Sequence, residues 1–282
     1  MFKLFGKQTS ERMPADFSLA VYRLHNLDLQ GMSDQELLAH FLHNSGDRRL
    51  YGPTRTTAEF LSMRWLRGNG AEIGAGSSPT KLFGNAKAEL HDFDQSFVFG
   101  GEESGVAKSV DDVKFVEAIG QRYDFAVASH VLEHCDSFIR AFENLCKVVK
   151  PNGVVYIVLP DIDFLQDKNW MPRHDFPHHL EEYASPQAHA ERHMKDHLGG
   201  IAEDVESYNR HITFPDEYKA GVKAGYIPPQ YWFIHHKHNY RFDGWLRLIL
   251  QTIDHLGIRG EMVDCRYGHE RMDCHFVIQL HG

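Results

Sequence analysis

The sequence predicts an α/β fold in which a mostly parallel sheet carries helices on both faces. From residue 70 onward, short apolar runs alternate with helical patterns, as successive βαβ units do. Several of these runs end abruptly in glycine or polar residues, which is typical of strands whose carboxyl ends carry a ligand. With 282 residues, 42% of them hydrophobic, the chain can bury one large core. We therefore expect either one domain with insertions or one domain with an appendage.

The first 68 residues are expected to form helices and loops rather than sheet. Ser33 and Glu36 have the spacing of a capping box, which predicts a helix starting after Ser33. This helix would place four apolar residues on one face: Leu37, Leu38, Phe41 and Leu42. We interpret the segment as a helical cover that packs on the sheet or over a ligand.

Seven strands are predicted from the apolar runs. In chain order they lie in GAEIGAG, KAELHDFD, SGVAKSVDD, YDFAVASH, VVYIVLPD, RGEMVDCRY and CHFVIQLH. The helix SFIRAFENLCKVVK follows the fourth strand, and its apolar residues are spaced for one buried face: Phe138, Phe142, Leu145 and Val149. The turn KPNG then leads to the fifth strand, and the helix RFDGWLRLILQTIDHLG precedes the last two.

The first predicted strand ends in a glycine turn, with Glu72 directly before Gly74, Ala75 and Gly76. A buried carboxylate costs several kcal/mol unless it meets a cation or hydrogen-bond donors. The position of Glu72 therefore indicates a positively charged ligand. A strand-to-helix turn without any ligand is the alternative.

The dinucleotide fingerprint has a third glycine, which lets its helix face a pyrophosphate. Here Ser78 and Pro79 follow the turn, and they predict an N-cap and the first residue of a helix. A nicotinamide-dependent dehydrogenase is disfavoured for this reason.

The acid and Gly-x-Gly turn resemble motif I of class I S-adenosylmethionine-dependent methyltransferases. The stretch DFAVASHVLEHCDSFIRAFENLCKVVKPNGVVYIVLPD closely resembles the type 11 branch of that family, and the likeness covers about residues 70 to 165 plus the last two strands. Asn152 stands where the family usually has glycine, and a turn tolerates a left-handed Asn. The resemblance implies S-adenosylmethionine as cofactor. It also implies a Rossmann-like seven-stranded sheet with helices on both faces and the last strand antiparallel.

The same resemblance sets the expected domain organisation. Residues 1–68 would be an N-terminal helical cover and residues 69–282 the methyltransferase domain. Within that domain, residues 160–240 form a long insertion after strand 5, expected to act as an acceptor-binding lid.

The resemblance also implies which residues contact the cofactor. Besides Glu72, Gly74, Ala75 and Gly76, they are Asp92, Asp94, Asp111, Asp112, Val113, Ser129 and His130. Asp92 would accept hydrogen bonds from ribose hydroxyls, and Asp94 competes because alternation puts both acids on one face of the strand. Asp111 and Asp112 would receive the adenine amine, with Val113 beside the ring.

The implied reaction transfers a methyl group to a small polar acceptor, with a sugar hydroxyl of a glycan or natural product as one candidate. Alignment and desolvation would supply most of the acceleration, because the cofactor is already activated. His130 is the first candidate for a general base, since histidine titrates near neutral pH. It could equally only shape the pocket. The alternative function is a non-catalytic S-adenosylmethionine-binding or scaffold protein of the same fold.

Histidines are concentrated in the predicted insertion. Ten of the chain's 20 lie there: His174, His178, His179, His189, His193, His197, His211, His235, His236 and His238. In one interpretation, His189, His193 and His197 share a helical face and bind a metal together with PRHDFPHH or IHHKH. In the other, which we favour, no metal is bound: the helix face is solvated, and the remaining histidines are hydrogen-bonding residues in a polar substrate cleft. Arg173, His174, His178 and His235 are then the candidate acceptor-binding residues.

Composition limits the partners and the compartment. The formal charge of −9 disfavours a nucleic-acid-binding surface. The four cysteines are far apart without a CxxC motif, which fits a reducing, cytoplasmic compartment. The N-terminus is too polar for a signal peptide, and no apolar stretch is long enough to span a membrane. The expected partner is a small-molecule or glycan acceptor. A homodimer is one candidate oligomeric state.

Overall fold

A computed structural model describes residues 13–43, 49–76, 78–92, 108–165, 174–203, 216–269 and 272–282. The described residues form one six-stranded mixed sheet, with strand order β2-β1-β3-β4-β6-β5. The strands are β1 Asn69–Ile73, β2 Lys87–His91, β3 Tyr123–Ser129, β4 Val149–Pro160, β5 Gly260–Gly268 and β6 Asp273–Leu280. The helices are α1 Leu19–His25, α2 Asp34–His43, α3 Thr57–Trp65, α4 Phe115–Ile119, α5 Phe138–Lys147, α6 Phe176–Ala184, α7 Pro186–Glu203, α8 Asp216–Lys223 and α9 Phe242–Leu256.

The first four strands in the order β2-β1-β3-β4 run parallel, and β6 is antiparallel to both of its neighbours. Six of the seven predicted strands are therefore present. The third predicted strand, SGVAKSVDD, is not confirmed. Its described part, residues 108–112, forms turns that lead into α4, and its earlier residues lie outside the described ranges.

Alternation along β3 and β4 gives the sheet two apolar faces. On one face, Ala126 and Ala128 pack with the buried aromatic residues of α5 and with Trp245 of α9. On the other, Phe125 and Val127 pack with Leu61 of α3. Helices therefore cover both faces, as the period-two pattern predicts.

Helix α5 follows the sequence expectation closely. Ser137 caps its N-terminus by accepting a hydrogen bond from Arg140 N, and Phe138, Phe142 and Leu145 are fully buried. The helix ends before Val149, which is buried as the first residue of β4 instead. Asn152 in the KPNG turn has φ of 63°, the left-handed conformation expected of it.

The N-terminal helices have a small apolar cluster of their own, which includes Tyr22, Leu37 and Met63. The capping box is confirmed: Ser33 N donates to Glu36 Oε2 at 2.7 Å, and Glu36 N donates to Ser33 Oγ at 3.3 Å. The predicted apolar face of this helix is correct for two of its four residues. Leu37 is buried and Phe41 packs against the cluster, whereas Leu38 and Leu42 are exposed, because this helix meets the protein along a narrow stripe.

The segment after the glycine turn was expected to begin a helix at Ser78 and Pro79, and this expectation is wrong. Residues 78–86 form a loop with a turn at Gly84, before β2 begins at Lys87. Thr80 N and Thr80 Oγ1 donate to the Glu72 carboxylate instead of entering a helix. These two hydrogen bonds hold the chain in a loop at the start of the expected helix.

Candidate functional site

The carboxyl edge of the parallel strands opens onto a cavity of about 740 Å³. It is lined by Ile73, Gly74, Asp92, Lys108, Ser109, Val110, Asp111, His130, Val131, His134, Cys135, Asp136, Pro229, Gln230, Trp232 and Lys237. One side belongs to the strand ends, and the other belongs to the insertion, through Pro229, Gln230, Trp232 and Lys237. The cavity lies where ligands bind in open α/β sheets.

The glycine turn forms the wall next to β1. Gly74 has φ of 68°, and its N–H donates to His91 O at 2.7 Å. A Cβ at Gly74 would lie 2.4 Å from Val131 Cγ2, so only glycine fits without moving the strand tip. Gly76 N donates to Asp92 Oδ2 at 3.1 Å, which joins the ends of β1 and β2. The turn is thus held from both neighbouring strands.

Glu72 does not line this cavity. Its side chain is buried, and both carboxylate oxygens lie 2.9 Å from Thr80 N, with Thr80 Oγ1 at 2.8 Å from Oε1. Burial raises the pKa of Glu72, although the hydrogen bonds from Thr80 oppose this change. In this structure the acid anchors the loop behind the glycine turn, which is the role of a hydrogen-bonded buried carboxylate.

Asp111 lines the cavity and organises the loop after β3. Its carboxylate accepts hydrogen bonds from Ser109 Oγ, from Asp136 N at 2.7 Å and from Ser137 N at 3.2 Å. Asp112 instead accepts from Lys114 N at 2.7 Å and faces Lys108. Val113 is 73% exposed. Of these three neighbours, only Asp111 faces the cavity.

At the carboxyl end of β3, the polar residue His130 faces the cavity. Ser129 is the last residue of the strand, and His130 N donates to Val158 O at 3.0 Å. His130 has φ of 56°, an uncommon conformation that turns its side chain into the cavity. Its ring lies between two buried acids: Nδ1 is 3.4 Å from Glu133 Oε1, and Nε2 is 3.3 Å from Asp273 Oδ1.

The two acids decide the protonation state of His130. Desolvation opposes the charged ring, but the hydrogen bonds and charges of Asp273 and Glu133 raise the pKa of His130 to about 10. Burial would raise the pKa of Glu133, but the neighbouring His130 ring holds it below its ordinary value. His134, by contrast, has its pKa lowered to about 4, chiefly by burial. At neutral pH the tip therefore carries an imidazolium between two carboxylates.

Lys237 and Asp273 are site residues that the sequence reasoning missed. Lys237 is buried, and its Nζ lies 2.5 Å from Asp136 Oδ1. The backbone N–H groups of Lys237 and His238 both donate to Glu133 O, at 2.6 and 3.1 Å. These contacts dock the insertion on the strand tip. A lysine between two histidines was visible in the sequence, but no spacing rule joins residue 237 to residue 136.

The predicted acceptor-binding residues do not line the cavity. His174 and His178 stack with ring centroids 3.7 Å apart, within the insertion. His235 is fully buried, with its Nε2 3.2 Å from Tyr218 Oη. Arg173 and Asp94 lie outside the described residues, and Ala75, Gly76, Asp112, Val113 and Ser129 are not among the lining residues. The structure thus brings Gly74, Asp92, Asp111 and His130 together at one cavity.

A mixed sheet whose parallel strands end in a glycine turn and polar residues at one cavity defines a Rossmann-like α/β protein. The methyltransferase domain family matches residues 54–217, which is more than half of the chain, and the chain belongs to that family. The matched residues are a methyltransferase domain.

Solved structures of low sequence identity are similar to this chain. One is a putative S-adenosylmethionine-dependent methyltransferase from Methanococcus maripaludis, with 12% identity, a TM-score of 0.39, and coverage of 80% of this chain and 84% of that one. The CurJ carbon methyltransferase has 14% identity and a TM-score of 0.37, and the match covers 77% of this chain and 49% of that one. The methyltransferase CalH in complex with SAH has 15% identity and a TM-score of 0.29, and the match covers 48% of this chain and 45% of that one.

The chain therefore spans about half the length of the CurJ and CalH structures. No curated protein matches the chain. Among the described residues, no helix combines the length and the apolar character that crossing a membrane would require.

Proposed function

We propose that the cavity binds S-adenosylmethionine against the strand ends and a small polar acceptor against the insertion, and that a hydroxyl of a sugar is the acceptor group to test first. The observation that supports this division is the position of His130, which faces the cavity with strand-end residues on one side and Trp232, Gln230 and Lys237 on the other. Bound cofactor supplies an activated sulfonium methyl group. The residues of this chain orient the reactants and exclude water.

The strand-end side has hydrogen-bond acceptors that fit the cofactor. Asp92 follows β2, where a carboxylate can accept hydrogen bonds from ribose hydroxyls. Asp111 lies further along the same wall, where it can receive an exocyclic amine. Both carboxylates also favour a ligand that carries a positive charge. Gly74 keeps the wall close to Val131, and we assign these three residues to the cofactor.

The insertion side has the chemistry of a polar acceptor site. Trp232 offers a flat aromatic face with its Nε1 donating to Ile227 O at 2.8 Å, so the ring is held in one orientation. A fixed indole can stack on the apolar face of a sugar ring. Gln230 and the Lys237–Asp136 pair provide hydrogen-bonding groups beside it. A polar ring-shaped acceptor meets both requirements.

His130 is the proposed general base for the acceptor hydroxyl. Its pKa of about 10 makes the neutral ring a strong base but a minor species at neutral pH. A cationic cofactor in the same cavity would lower this pKa, because a like charge disfavours the imidazolium. The proposal therefore predicts that transfer accelerates as the pH rises.

The function can be tested by incubating the purified chain with methyl-labelled S-adenosylmethionine and a panel of acceptors: monosaccharides, nucleotide-linked sugars, and matched acceptors with an amine or a carboxylate. Label in a sugar product, at the methyl-ether position, would support the proposal. Label only in amine or carboxylate acceptors would contradict the acceptor class while leaving the methyltransferase activity intact.

A non-catalytic cofactor-binding protein is the second candidate, and the charged state of His130 favours it, since an imidazolium cannot accept a proton. It predicts tight binding of S-adenosylmethionine without turnover of any acceptor at any pH. His130→Ala separates the two functions. If His130 is the base, kcat falls while cofactor affinity stays, and equal loss of both would mark it as a pocket residue.

A further inference from the structure

Four buried side chains converge in the interior of the insertion. They are His178 and Glu182 of α6, His193 of α7 and His238, which precedes α9; we call them the His–Glu cluster. One ligand atom from each residue lies within 4.8 Å of the other three. His178 is 8% exposed, and the other three are fully buried. The chain thus brings three segments, far apart in sequence, to one point.

One carboxylate oxygen lies at the centre of the cluster. Glu182 Oε1 is 2.6 Å from His178 Nε2, 2.7 Å from His193 Nε2 and 2.9 Å from His238 Nε2. A carboxylate oxygen has about two lone-pair directions. Three nitrogens therefore approach this oxygen. His238 Nε2 also lies 3.0 Å from Glu182 Oε2, whereas His178 Nε2 makes no hydrogen bond of acceptable geometry with any described residue. Hydrogen bonding alone does not satisfy this arrangement.

The other oxygen of Glu182 has supporting contacts. Oε2 lies 3.1 Å from His179 Nδ1, and His179 Nε2 is 2.6 Å from Tyr240 Oη, which donates to His174 O at 2.9 Å. Outer hydrogen bonds of this kind fix the orientation of a carboxylate that binds a metal. The cluster has both an inner set of ligand atoms and a layer that orients it.

We propose that His178, Glu182, His193 and His238 bind one divalent first-row transition ion, with zinc as the first to test. Three imidazoles and one carboxylate are a common donor set for such ions. A dication would also compensate the buried carboxylate, which otherwise costs several kcal/mol. Because all four ligands come from the protein and are buried, the site is structural rather than catalytic.

A bound ion would also affect the cavity at the strand ends. His238 is adjacent to Lys237, and both backbone N–H groups donate to Glu133 O at the strand tip. An ion held by His238 would fix the segment that carries Lys237 against the cavity and join it to α6 and α7. This inference is independent of the proposed acceptor, since it concerns metal content rather than methyl transfer.

The test uses the full chain and compares Glu182→Gln with Glu181→Gln. Glu181 is the exposed neighbour on the same helix, and with His178 and His189 it forms a competing trio. After loading with zinc and dialysis, mass spectrometry should find one ion per chain in the wild type and in Glu181→Gln. Glu182→Gln should retain less than a tenth of the zinc that the wild type binds.

Cobalt loading supplies the second measurement, which needs no variant. One equivalent of Co²⁺ added to chelator-treated wild-type chain should give the visible absorption of a four-coordinate site, and zinc should remove it. Failure to bind either ion would overturn the proposal, whether or not Glu182→Gln folds. Glu133 forms a further candidate group with His134 and His236. Loss of the ion in Glu181→Gln, or in Glu133→Gln while Glu182→Gln keeps it, would assign the ion to another cluster and contradict the four-residue set.

Discussion

The sheet and the insertion are stabilised in different ways. In the sheet, strands and helices bury one apolar cluster on each face; Phe142 and Phe276 belong to one cluster and Phe125 to the other. In the insertion, the described apolar cluster has only three buried members, Met194, Tyr218 and Ile227, while the His–Glu cluster occupies the interior. Sheet geometry therefore follows from hydrophobic periodicity, whereas the insertion depends on buried polar contacts.

Core truncations test this difference and should have the largest effect. Phe142→Ala should lower the free energy of unfolding of the whole domain by about 3–5 kcal/mol, because it leaves a cavity between α5 and the sheet. Ile227→Ala should change that free energy by less than about 1 kcal/mol, because the insertion can open by itself. Urea unfolding followed by circular dichroism measures the first quantity, and limited proteolysis within residues 174–240 measures local opening. Equal loss of global stability in both variants would show that the two regions unfold as one unit.

Gly74→Ala tests the strand-end side. The new Cβ would meet Val131 Cγ2, and alanine at φ of 68° adds about 1–2 kcal/mol of backbone strain. We expect affinity for S-adenosylmethionine to fall at least about tenfold, equivalent to ~1.4 kcal/mol, with the fold retained. Gly31→Ala is the control, since no atom lies within 4 Å of its Cβ position. Unchanged affinity in Gly74→Ala would remove the glycine turn from the cofactor site.

The charge state of the strand tip gives a pH-dependent prediction. Because Asp273 and Glu133 raise the pKa of His130 to about 10 from 6.5, this ion pairing stabilises the fold fully below about pH 6.5 and is lost as the pH rises through about 10. In Asp273→Asn, the pKa of His130 should move down toward 6.5. Titration of the His130 ring by NMR checks both values. A wild-type ring that titrates near pH 6.5 would contradict the proposed pairing.

Thr80→Val tests the hydrogen bonds that hold the loop behind the glycine turn. It removes the hydroxyl that donates to the buried Glu72 carboxylate, and hydrogen bonds to charged groups contribute about 1.5–3 kcal/mol. Thr80 N still donates, so we expect a loss of stability at the lower end of that range and a modest loss of cofactor affinity. Thr80→Ser keeps the hydroxyl and should match the wild type in thermal denaturation. Loss of cofactor binding without loss of stability in Thr80→Val would argue that Glu72 contacts the ligand directly.

The sequence predicted those parts of the molecule that depend on local pattern. Strand alternation, the buried face of α5 and the capping box at Ser33 all follow from spacing within one element. The helix expected after Ser78 failed because Thr80 is used by Glu72, a contact between residues that local propensity does not describe. Hydrophobic spacing likewise could not tell that Leu38 and Leu42 are exposed, since that depends on what α2 packs against.

The sequence predicted part of the cavity lining where one strand end carries several polar residues, as at His130. Lys237 lines the cavity and Asp273 contacts His130 only through tertiary folding, because their partners are far away in sequence. The His–Glu cluster shows the same limit. His178 and Glu182 have helical i, i+4 spacing, but His193 and His238 join them through the packing of three segments. The number of histidines indicated the region that contains the cluster, but it did not indicate which four residues form the cluster.

The central claim is that the cavity at the strand ends binds the methyl donor, and calorimetric titration of the purified chain with S-adenosylmethionine tests it most directly. S-adenosylhomocysteine and NAD serve as the matched and unrelated ligands, and each titration is repeated with chelator. We expect one site per chain with micromolar affinity for both S-adenosyl compounds, none for NAD, and weaker binding in Gly74→Ala. Absence of binding, or binding that Gly74→Ala leaves unchanged, would contradict the assignment of this cavity.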